Sequence, residues 1–196
     1  MLDERFVILG FAINFLGSLT YLVAVLKGQA KPNRVSWFLW MLIPMIAVAA
    51  ELEQGVGLRA ITTLSSGFSP LVIFVASFLN KKAYWKIGRL DVFCGGLALG
   101  GVLLWQGTDD PNLAILFAIL ADLLAGIPTL IKAYRFPETE SSWTFLGGLT
   151  NATIGILTLT LWDFAHLAFP LYLWVICLIL FTLIQFKLGL RISKKI

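Results

Sequence analysis

Long apolar stretches follow one another along almost the whole chain, and that succession limits what the chain can fold into more than any other feature. A helix needs about 20 mostly apolar residues to cross roughly 30 Å of hydrocarbon at 1.5 Å per residue. Hydropathy and loop punctuation place seven such spans: Phe6 to Leu26, Ser36 to Ala50, Leu58 to Leu79, Val92 to Trp105, Leu113 to Ala133, Ser142 to Leu161 and Pro170 to Leu190. Hydrophobic residues make up 59% of the 196 and charged residues 13%. Almost nothing remains for a soluble domain. The first stretch follows Asp3 and Glu4 and is too long for a signal-peptide core, so it reads as a retained helix.

Charge sets the expected orientation. Lys27, Lys31, Arg34, Lys81, Lys82, Lys86, Arg89, Lys132, Arg135, Lys187, Arg191, Lys194 and Lys195 fall on one side of alternating spans, while Arg5 and Arg59 alone fall on the other. Positive residues near span ends stay in the cytoplasm, so the reading is amino terminus outside and carboxyl terminus inside, in a multi-pass protein of the cell membrane. The tryptophans fit headgroup belts, with Trp37, Trp85 and Trp143 at cytoplasmic ends and Trp105, Trp162 and Trp174 at outer ones. The net charge of +4 is explained by topology, and nucleic acid is excluded as a partner. Cys94 and Cys177 lie inside apolar segments and indicate neither a disulfide nor a metal. No nucleophile elbow, P-loop or dinucleotide fingerprint occurs, so no cofactor is expected and the chain does not read as an enzyme.

Two stretches share their punctuation. YLVAVLKGQAKPNRVSWFLW from Tyr21 and GIPTLIKAYRFPETESSWTF from Gly126 each carry an apolar helix end, a lysine (Lys27, Lys132), a proline five residues on (Pro32, Pro137) and a Ser-Trp pair opening the next helix (Ser36-Trp37, Ser142-Trp143). Each serine is a suitable N-cap and each proline a stop. A cytoplasmic turn collects such residues readily, but two copies in the same order, between spans of equal orientation, indicate parallel three-helix repeats. The expected division is residues 1–90 for the first repeat, 91–107 for a linker helix and 108–196 for the second repeat. In the linker, Gly96 and Gly100 have the small-xxx-small spacing of close helix packing.

On these motifs the chain resembles the SWEET and PQ-loop superfamily of small seven-helix transporters. The resemblance implies an all-α integral membrane fold with a 3-1-3 order of helices, alternating access, and sugar as the first substrate class. It also implies a hinge proline before the loop, which Pro128 fits. Val23 stands at the matching position of the first repeat, and no Pro-Gln dipeptide is present.

Asp122 is the only carboxylate deep within a span. A centred Asp costs roughly 2.5 to 3.5 kcal/mol on insertion scales, so it should face a cavity or a partner, and no intramembrane Lys or Arg offers an ion pair. Polar residues recur at helical spacing on other spans: Asn14, Gly17, Ser18 and Tyr21; Thr62, Ser65, Ser66 and Ser69; and Asn151 with Gly147, Gly148 and Gly155. Small and polar faces are common at membrane helix contacts, which accounts for the Ser and Thr positions alone. Asn14, Ser18, Ser66, Asp122 and Asn151 form the expected solute site, with Asp122 able to load and release a proton. Pro44, Pro70 and Pro128 are candidate hinges. The partners expected are a small polar solute, the lipid bilayer and a proton, and a homo-oligomer is compatible with this reading. Alternatives are a proton-coupled amino acid or vitamin carrier and a non-transporting seven-helix receptor or scaffold. His166, in the outer loop, reads as an interfacial residue.

Overall fold

A computed structural model describes residues 2–53 and 57–193. Lys194 and Lys195, two of the thirteen basic residues tallied on one side, lie outside the described residues. The helices are α1 (Phe6–Leu26), α2 (Arg34–Glu53), α3 (Ala60–Ala76), α4 (Arg89–Gln106), α5 (Pro111–Arg135), α6 (Ser142–Leu157), α7 (Phe164–Gln185) and α8 (Leu188–Ser193). Single 3-10 turns at Gly57–Arg59, Lys81–Ala83 and Pro137–Thr139 fill the connections. No strand occurs among the described residues.

By length and composition, α1, α3 with its preceding 3-10 turn, α5 and α7 can each cross a membrane. The chain is a multi-pass helical membrane protein. Leu97, Leu103 and Leu104 on α4 and Leu16 on α1 are exposed apolar side chains suited to face lipid. α4 and α6, at 18 and 16 residues, are shorter. At 1.5 Å per residue they reach about 27 and 24 Å, so they cross fully only where neighbouring helices or a thinner bilayer make up the difference.

Caps and breaks decide the helix limits. Asn33, not Ser36, opens α2: its Oδ1 accepts from the backbone N–H of Val35 and Ser36. α6 is preceded by Ser141, which makes no side-chain cap bond, and the Ser142 hydroxyl donates to Gln185 on α7. The two expected serine caps are therefore absent; an amide with two lone pairs serves the first helix, and the second serine is committed to another helix. Asp110 accepts from Asn112 and Leu113 with Pro111 opening α5, a pairing suited to orphan N–H groups. α7 begins at Phe164, six residues before the expected Pro170, because Asp163 caps it by accepting from the His166 N–H.

The packing is continuous around the bundle. α3 lies against both α1 and α2, and α7 against both α5 and α6; α1 packs on α6, α2 on α5, and α4 on α2 and α5. Between membrane helices there is no water to expel, so close backbone approach carries the contact. At Gly17 an added Cβ would sit 2.5 Å from the Trp143 carbonyl oxygen, and at Gly147 it would sit 2.9 Å from the Asn14 Cα. α1 and α6 thus meet backbone to backbone. On α4 the contacts fall elsewhere than expected: a Cβ added at Gly96 or Gly100 would meet no other described part of the protein within 4 Å, whereas Gly95 faces Val35 and Gly101 faces Ala121.

Candidate functional site

Asp122 is the twelfth residue of the 25 in α5, and so lies midway along that helix. Its side chain borders a cavity of about 80 Å³ that α1, α2, α3, α5, α6 and α7 enclose together. Tyr172 on α7 donates to its Oδ2 at 2.7 Å, and the Trp40 indole N–H donates to its backbone carbonyl at 3.3 Å. Gly126, one turn along, leaves room for the Trp40 ring, whose Cζ2 would stand 3.2 Å from a Cβ there. Trp37, Trp40 and Phe145 form the aromatic wall, with ring centroids 5.5 to 6.3 Å apart.

The expected site residues divide into two groups. Asn14, Ser66 and Asp122 border the cavity, as do Pro44 and Pro70. Ser18 and Asn151 are buried in helix contacts instead. The Ser18 hydroxyl donates to the Asn14 carbonyl and lies 3.2 Å from Thr144 Oγ1, while the Asn151 amide donates to the Thr62 carbonyl at 3.3 Å. Asn14 serves both roles, since its amide also donates to the Ser65 carbonyl and hydroxyl oxygens. Pro128 lies inside α5, two residues past Gly126.

Trp37 and Trp40 border the cavity and Tyr172 holds its carboxylate, and the sequence reading assigns none of the three to the site. The sequence reading puts Trp37 in a headgroup belt, yet it is 2% exposed and packed against the Tyr21 ring within the protein. The signal was present in WFLW, since two tryptophans three residues apart on one helix share a face.

At the end of the bundle where the basic loops gather, a second polar cluster fastens the helices. The Lys132 ammonium pairs with Glu140 at 2.5 Å, donates to the Lys31 carbonyl, and stands 4.7 Å from the centre of the Trp85 ring. Tyr21 donates to the other Glu140 oxygen at 2.5 Å. Alongside it, Asn33 donates to Asp91 at 2.7 Å, and Asp91 accepts from the Gly88 N–H, tying the α1–α2 connection to the start of α4.

The opposite end is more open. A cavity of about 510 Å³ is bordered there by Arg59, Thr62, Trp105, Thr158, His166 and Phe169. Arg59 meets Glu4 at 3.6 Å and donates to Thr160. His166 lies 2.6 Å from Asp163, and that contact holds the Asp163 carboxyl below its ordinary range. Among the described residues no group of His, Cys, Asp and Glu could hold a metal ion.

Over 125 residues, or 63% of its length, the chain is 29% identical to the sodium-dependent glucose transporter 1 of Danio rerio. The match takes in 20% of that protein, so the chain spans about a fifth of the relative's length. No family model matches the chain. No solved structure matches it.

Proposed function

We propose that this protein is a secondary transporter or facilitator that carries a small polar solute across the membrane through the Asp122 cavity by alternating access. The observation that carries this reading is the position of that cavity. It lies midway along α5, between a buried polar seal at the basic end and a larger cavity at the opposite end. A carrier holds its solute where two halves can close in turn, and such a site near the midplane suits that cycle.

In this reading residues 1–90 and 108–196 are parallel three-helix repeats and residues 91–107 are the linker, with seven helices crossing the bilayer in a 3-1-3 order. The packing supports it: exchanging α1 with α5, α2 with α6 and α3 with α7 turns the α1–α6 contact into α5–α2, and each third helix lies between its two companions. The amino terminus lies outside and the carboxyl terminus in the cytoplasm, so the seal is cytoplasmic. Likeness to SWEET and PQ-loop proteins, and to a relative named as a glucose transporter, favours sugar. A proton-coupled amino acid or vitamin carrier is the second reading, favoured by Asp122, which no Lys or Arg pairs among the described ion pairs.

The test is uptake of radiolabelled glucose, leucine and a small amine into liposomes holding the purified protein, against empty liposomes. Uptake that saturates with concentration supports the carrier. Binding without uptake would leave the receptor or scaffold reading in its place.

A further inference from the structure

Most hydrogens on the polar side chains around the cavity are already committed. Asn14 commits its amide hydrogens to Ser65, and Ser66 commits its hydroxyl hydrogen to the Thr62 carbonyl. Ser18 gives its only hydrogen to the Asn14 carbonyl, so the hydrogen in its contact with Thr144 comes from Thr144. Tyr172 gives its hydrogen to Asp122. What the wall still offers a solute is mainly lone pairs, on the Asn14 amide oxygen, the Ser66 and Thr144 hydroxyls and the Asp122 carboxylate, with the Trp37 indole N–H and the Ser69 hydroxyl as its free donors.

A polyol brings a hydroxyl oxygen on nearly every carbon, more than two free donors serve, and a desolvated oxygen without a donor carries a cost. A zwitterionic amino acid brings a carboxylate, and among the described residues no Lys, Arg or His borders this cavity to meet it. An ammonium group brings donors and positive charge alone. It would find a carboxylate on α5 and, beside it, the Trp37, Trp40 and Phe145 rings, whose negative faces attract a cation.

We infer that the solute of this cavity is a small organic amine in its ammonium form, with a compact apolar body and no carboxylate. The inference rests on the carrier reading and narrows it. Asp122 receives the charge, the aromatic wall receives the body, and Asn14 accepts a further N–H.

Isothermal titration of the purified wild-type protein with n-butylammonium and with 1-butanol isolates the charge, because the two differ little in size. Butylammonium should bind at least about tenfold more tightly, the scale of a desolvated cation beside aromatic rings and an acid. Glucose and leucine should bind more weakly than butylammonium. Asp122→Asn should bring butylammonium down to the level of 1-butanol while retaining the wild-type helical circular dichroism. Equal binding of the two probes by the wild-type protein, or no binding of butylammonium, overturns the inference whatever the variant does. Tighter binding of glucose or leucine overturns it too. The carrier reading is judged separately: saturable liposome uptake of glucose or leucine would keep it while the amine assignment falls, and absence of uptake for every solute would remove it even if butylammonium binds.

Discussion

Lys132 and Glu140 stand 2.5 Å apart with side chains 1% and 0% exposed, an ion pair enclosed within the protein between the end of α5 and the start of α6. Tyr21 of α1 and the Lys31 carbonyl close the remaining valences, so one charge pair joins both halves of the chain. Two buried charges balance only when each is paired and hydrogen-bonded.

Lys132→Met should therefore destabilise the protein by about 3 to 5 kcal/mol, because it leaves Glu140 buried and unpaired. Replacing both, Lys132→Met with Glu140→Leu, should cost less than the two single changes added together. Thermal unfolding in detergent, run as a double-mutant cycle, measures this; additive losses would mean the two groups act independently.

The α1–α6 contact makes a steric prediction. Gly17→Val would push a side chain into the Trp143 carbonyl, where even a Cβ lies at 2.5 Å, and should cost about 1 to 3 kcal/mol or more. Gly100→Val, where nothing of the protein lies within 4 Å, should change stability by no more than about 0.5 kcal/mol. Equal losses at the two sites, read by the same unfolding assay, would refute this packing.

As the proposed coupling group, Asp122 should set the pH response of transport. Asp122→Asn keeps the shape and accepts from Tyr172 but cannot titrate, so whatever uptake the variant retains should be independent of pH. Liposome uptake measured from pH 5 to 8 tests this, and an unchanged profile assigns coupling elsewhere.

Orientation is open to chemical labelling. With Cys94 and Cys177 replaced by alanine, a cysteine at the exposed position of Asp109 should react with an impermeant maleimide applied to whole cells, and one at Lys82 should not. The reverse pattern would invert the chain.

Much of the helical frame was legible because hydropathy and punctuation are local properties. The limits of α1 follow directly from its apolar run, and Asp122 stands out because an acid in hydrocarbon needs a reason. Its partner Tyr172 does not stand out, since that contact depends on how α5 and α7 meet. Lys132 reads as a loop charge for the same reason: nothing local separates a snorkelling lysine from a buried one. A subtler signal lay in the acids of the basic side, Asp91, Glu138 and Glu140, two of which prove to be buried with partners. Ser18 and Asn151 share the helical phase of Asn14 or its neighbours, but phase tells which way a residue faces and not whether a cavity or a helix lies there.

The unequal cavities have an electrical consequence. Water filling the 510 Å³ space at the Arg59 end would make that part of the protein conduct and leave the membrane voltage to fall mainly across the rest of the bundle, which includes Asp122 and Lys132. A full transmembrane step is worth about 2.3 kcal/mol per elementary charge for each 100 mV. In the proposed carrier, a charge leaving Asp122 toward the basic end would meet most of that drop over half the distance, and net current would respond to voltage chiefly at that step.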